Sequence, residues 1–160
     1  MMKIKFMLVP LVVLGLIVVG CSDEKKVVEK KKEPIVDINS KWFTLTSNEL
    51  TWKKAKQFCE SNGGRLPTIS ELKEVIKDCE GVVVNYDDND WDNLTNTNIA
   101  NQFYQSCYKR KGFSSNTYYW SSTFVNDFRG YVWFVFFKDG DVNARDKDYN
   151  NYFRCIKDIE

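Results

Sequence analysis

Apolar positions recur at helical spacing in the middle of this 160-residue chain and at strand spacing in its last third. Thr51 reads as an N-cap, after which Trp52, Ala55, Phe58 and Cys59 share one stripe, with Lys53, Lys54 and Gln57 opposite. Gly63 and Gly64 end that helix, because glycine takes the left-handed C′ conformation without steric cost. Leu66 must be extended before Pro67. Thr68 and Glu71 then make a capping box for a second helix, whose apolar side is Ile69, Leu72, Val75 and Ile76. Upstream, Lys41–Leu45 is a short strand candidate.

The period changes to two after Tyr118. Residues 118–123 (YYWSST) read as a strand. Tyr131–Phe137 (YVWFVFF) is apolar on both faces, which predicts a central strand covered from both sides. Asp139-Gly140 signals a tight turn, Val142–Arg145 a return strand and Asn151–Ile156 a last strand. Helices followed by antiparallel strands make an α+β domain, two helices packed on a small antiparallel sheet. Residues 81–107 are polar and show no clear period.

A different apolar pattern opens the chain. Lys3 and Lys5 precede an apolar run, Phe6–Val19, shorter than the ~20 residues a spanning helix needs but suited to a signal peptide. It ends in Val18-Val19-Gly20-Cys21, which resembles the lipobox of bacterial lipoproteins, with Cys21 lipidated. Ser22 in place of aspartate points to outer-membrane sorting. The expected layout is a signal peptide over 1–20, a charged tether over 21–35 that is too polar to fold, and a domain over 36–160. The predicted location is the bacterial cell envelope, as an outer-membrane lipoprotein facing the periplasm or the surface.

Composition narrows the chemistry. There are 23 basic and 22 acidic residues, so no basic excess points to nucleic acid. Histidine is absent, which removes Ser-His and Cys-His nucleophile pairs and histidine-based zinc hydrolases. With Cys21 assigned to lipid, Cys59, Cys79, Cys107 and Cys155 form an even set in an exported domain, the pattern of disulfides, open to three pairings.

Several blocks together resemble a bacterial domain of unknown function that also forms the C-terminal domain of the Legionella collagen-like adhesin. They are Trp52, Ala55 and Cys59; Gly64-Arg65-Leu66-Pro67-Thr68 with Glu71 and Leu72; Tyr119–Thr123; Trp133, Val135, Phe137, Gly140 and Val142; and Arg154-Cys155-Ile156. The resemblance covers about residues 41–156 and implies a C-type-lectin-like fold, an extracytoplasmic setting and a role in adhesion. It also implies a staple from the first helix to the final strand, Cys59–Cys155. The favoured pairing is that bridge with Cys79–Cys107 inside it. Most shared residues read as scaffold, and Arg65 is expected to pair with Glu71 rather than with a ligand. The calcium-sugar motifs of C-type lectins are missing, since Glu33-Pro34 lies in the tether and Trp91-Asp92-Asn93 runs in reversed order.

Two surface clusters are candidate sites. Asp88, Asp90 and Asp92 alternate, so an extended or looped backbone could converge their oxygens on a weakly held calcium ion. They do not form an EF-hand, because Asn93 and Ile99 stand where glycine and glutamate are required. A solvated acidic loop is the simpler alternative. Asn126, Arg129, Arg145, Asp146, Tyr149 and Asn150 offer amides, charges and a ring on loops around the terminal strands, a mixture suited to glycan or protein ligands. No other cofactor is expected. The predicted function is non-catalytic recognition or adhesion by a membrane-anchored envelope protein. The alternatives are a structural envelope protein and a carboxylate-based glycan hydrolase.

Overall fold

The computed structural model describes residues 41–43, 48–126, 128 and 130–157, which lie within one compact unit. Cys21, the signal peptide, the tether and Arg129 lie outside the described residues. The elements in chain order are β1 (Leu50–Thr51), α1 (Trp52–Ser61), α2 (Ile69–Asp78), β2 (Val84–Asn85), α3 (Trp91–Ala100) and α4 (Gln102–Arg110). They are followed by β3 (Tyr118–Phe124), β4 (Tyr131–Phe136), β5 (Asp141–Asp146) and β6 (Asn150–Asn151).

The class is α+β, as expected, but with four helices among the described residues where the sequence pattern gave two. The main sheet runs β2-β5-β4-β3. Its core is antiparallel, and β2 adds a short parallel edge. A second pairing, β1 with β6, brings the two ends of the domain together. Of the strand expected over Lys41–Leu45 only residues 41–43 are described, and Trp42 bridges Ile156; of that expected over Asn151–Ile156, Asn151 belongs to β6, while Tyr152 bridges Tyr119 and Ile156 bridges Trp42 and Arg65. Phe43 N–H donates to the Cys155 carbonyl at 3.0 Å, so the segment Cys155–Ile156 is held between two partners.

Helix α1 closes in a Schellman motif. Gly64 N–H reaches the Cys59 carbonyl, Gly63 N–H reaches Glu60, and Gly63 has φ +78°. Thr51 occupies the N-cap position without making a side-chain cap bond. Thr68 and Glu71 form the full capping box of α2. That helix also ends in a Schellman motif, with Glu80 instead of glycine in the left-handed position at φ 58°.

Strand β4 is central and covered on both sides. On one side Val135 and Phe137 pack with Leu72, Ile76, Tyr104 and Tyr108 of α2 and α4. On the other, Val132 and Phe134 pack with Ala55, Trp120 and Phe153. The β4–β5 hairpin forms where Asp139-Gly140 predicts it, with four residues (137–140) between the paired Phe136 and Asp141 instead of a two-residue turn. Gly140 has φ +80°, and a Cβ there would come within 2.3 Å of Asn98 Nδ2. Cys59 bridges Cys155, and Cys79 bridges Cys107, which is the favoured pairing.

Candidate functional site

Strand β4 runs past its helical cover at its start, where Tyr131 and Trp133 keep part of their rings open. The loop from β3 folds beside them, with Val125 N–H donating to the Tyr131 carbonyl. Two adjoining clefts result, sharing Val125, Phe128 and Trp133. The first, about 330 Å³, adds Tyr86, Tyr131, Asn143 and Ala144. The second, about 300 Å³, adds Thr123, Phe124 and Asn126. The short parallel strand β2 is what delivers Tyr86 to the far wall, through its pairing with Asp141 and Val142.

These rings are held from behind. Phe124 packs edge-on against Trp52 at 4.8 Å, and Trp52 Nε1 donates to the Ser121 carbonyl. Phe128 meets Tyr131 edge-on at 6.2 Å. The described lining carries no ionised side chain. Sequence reasoning reads Tyr131 and Trp133 as core because their strand is apolar on both faces. Only the helices' positions show that cover stops short of them.

The sequence-derived candidates separate into two groups. Asn126 lines the second cleft. Arg145 lies on the opposite face of β5, its guanidinium 5.0 Å from the Tyr149 ring, 5.5 Å from Tyr118 and 5.6 Å from Phe134. It also donates to Asn151 Oδ1 at 2.8 Å. With those partners Arg145 packs the sheet as much as it faces solvent. Tyr149 and Asn150 beside it are exposed. Asp146 Oδ1 accepts from Asp148 N–H and shapes the β5–β6 turn.

The three alternating aspartates do not converge. Among the described residues no three His, Cys, Asp or Glu side chains are placed to hold a metal ion. A turn here leads directly into α3, which draws the three carboxylates into separate local settings. Asp88 Oδ2 accepts from Asn85 N–H, Asp90 Oδ1 accepts from Asn93, and Asp92 sits in the first turn of α3.

Two arginines from the family-like blocks prove to be structural. Arg65 makes a paired bond to Glu71, both contacts at 2.8 Å, as expected. That guanidinium holds the Glu71 carboxyl down at about 2. Arg154 is buried, and its Nε and Nη2 donate to the Phe43 carbonyl while Nη1 donates to Lys111. It lies over the Trp42 and Phe113 rings, and burial pulls its pKa down to about 10.

Fold and clefts define a small, disulfide-braced α+β domain with an open aromatic surface at one end of its sheet. The sequence matches the model of the Lcl C-terminal domain over residues 23–157, and the chain belongs to that family. Membership suggests an adhesin-like module on a cell-surface protein. Comparisons with curated proteins and with solved structures give no match. No helix among the described residues is long and apolar enough to cross a membrane.

Proposed function

We propose that this chain is a lipid-anchored envelope protein whose domain recognises glycan or protein ligands without transforming them. The observation that carries the reading is the pair of adjoining aromatic clefts, whose shared wall is Val125, Phe128 and Trp133. Concave sites with ring walls and a few convergent polar groups are the usual form of small-ligand pockets. Family membership and the Gly20-Cys21 signal support a surface setting with the anchor at Cys21.

One observation bears on the hydrolase alternative. Burial pushes the carboxyls of Asp139 and Asp141 upward, and the two stand together on the β4–β5 hairpin. Neither lines the two clefts, however, and both are tied into local bonds: Asp139 Oδ1 accepts from Asp141 N–H, and Asp141 Oδ1 faces Trp91 Nε1 at 3.5 Å. A glycan array probed with the full-length chain, with product analysis of each hit, separates the readings. Binding without turnover is expected. Turnover would establish the hydrolase. No hit on the array, and no protein ligand captured by cross-linking, would leave the structural role.

A further inference from the structure

We infer that the paired clefts take a neutral oligosaccharide, with two pyranose rings seated either side of Trp133. This rests on the recognition reading above and names its ligand class. The walls are flat rings from separate elements: Tyr86 after β2, Phe124 at the end of β3, Phe128 in the loop, and Tyr131 and Trp133 on β4. Such rings accept the C–H faces of a sugar while leaving its hydroxyls free at the edge. Each cleft lies at the small end of the ~300–1,000 Å³ range of ligand pockets, a scale suited to one ring apiece.

The polar groups described among those walls are uncharged, and each keeps a donor or acceptor to offer. The Tyr86 and Tyr131 hydroxyls and the Trp133 indole N–H have no hydrogen-bond partner among the described residues. Asn143 has its Oδ1 fixed by Ala144 N–H at 2.8 Å, which sets the amide in place and leaves Nδ2 unpaired. In the second cleft the Asn126 amide is likewise unpaired. Thr123 Oγ1 accepts from Ile69 N–H at 3.0 Å and keeps its own hydrogen to donate.

Charge and polarity then decide the class. A purely apolar plug would strand these donors, and each stranded buried group costs about 1–3 kcal/mol. An anionic ligand would find no ionised partner in the described lining. A ligand with an apolar face and several hydroxyls, each able to donate and accept, satisfies rings and donors together. A neutral sugar has that form.

The test is calorimetric titration of the full-length chain with malto-, cello-, galacto-, manno- and chito-tetraose, and with sulfated maltotetraose as the anionic arm. A zwitterionic detergent is used, because glucoside or maltoside headgroups would compete. At least one neutral tetraose should bind, with a Kd unmoved between low and high salt. Phe128→Ala, at a ring 64% exposed, should weaken it roughly two- to tenfold while leaving the melting temperature unchanged. Trp133→Phe, which keeps a ring and removes the N–H, should weaken it as well. Binding of the sulfated chain alone overturns the inference, as does neutral binding untouched by Phe128→Ala. Array hits of other kinds with no neutral tetraose bound would also overturn it and leave the recognition reading standing. No ligand of any kind would remove both.

Discussion

Glu71 carries three duties through one carboxylate: it closes the capping box on Thr68, accepts both Arg65 nitrogens, and so fixes the turn that Arg65 shares with Ile156. Its folded-state pKa is lowered from 4.5 to about 2. A depressed carboxyl contributes stability that is present above its unfolded value and lost as pH falls through the folded one. The window here is therefore about pH 4.5 down to 2. The Arg65 side chain is 37% exposed, so solvent screening limits the contribution to ~1 kcal/mol. Glu71→Gln keeps a capping side chain and loses the ion pair. Urea unfolding should show the native protein more stable than this variant at pH 7, with the gap closing below pH 4.5. A gap independent of pH would mean that the pair contributes nothing. Arg154 meets a different local problem, since its charge is buried among carbonyls and rings with no carboxylate beside it among the described residues. Both arginines lie in blocks that identify the family, and both are scaffold.

Helix α3 shows why an element can be missing from a pattern and present in a structure. Its sequence, WDNLTNTNIA, is rich in Asn and Thr, which compete with the helical backbone, and it has no clear apolar stripe. What holds it is Asn98, fully buried, which accepts from Val82 N–H and donates to the carbonyls of Val82 and Asp139. One amide thus ties the helix to the segment leading into β2 and to the hairpin far beyond it. Asn98→Ala strands those backbone groups together and should cost ~3 kcal/mol, read as a lower urea midpoint, with β4–β5 amides exchanging faster. A loss within 0.5 kcal/mol would show that α3 is held some other way. Helix α4 was more legible in principle, since Tyr104, Cys107 and Tyr108 are spaced three and four apart and all buried. The capped and striped helices α1 and α2 were read closely from sequence. Helix α3 was not, because its stabilising contacts are long-range hydrogen bonds that leave no period.

For the molecule as a whole, two covalent staples act on loops of different size. Cys59–Cys155 spans 96 positions and Cys79–Cys107 spans 28. In the chain-entropy model these are worth roughly 4.7 and roughly 3.6 kcal/mol. Replacing Cys59 and Cys155 with alanine together should therefore destabilise more than replacing the inner pair, by about 1 kcal/mol in urea unfolding. The reverse order would count against the entropic account. The outer staple also lies beside the β1–β6 pairing and the Phe43–Cys155 bond, so the domain's two ends are tied three ways. The clefts sit on a sheet held in this frame, and their walls come from residues as far apart as Tyr86 and Asn143.

The sequence by itself determined the local structure: caps, helix stops, the hairpin, the apolar central strand and the α+β class. Each of these follows from neighbours within a few residues, through backbone sterics and period. It also supplied the blocks that assign the family. Tertiary structure alone decided which apolar residues are core and which are wall. Tyr131 and Val135 lie on the same face of the same strand, and only the reach of α2 and α4 leaves one open and buries the other. It likewise decided that alternating aspartates would part into a turn and a helix. Burial and convergence are properties of what packs alongside, and no spacing within a segment encodes its neighbour.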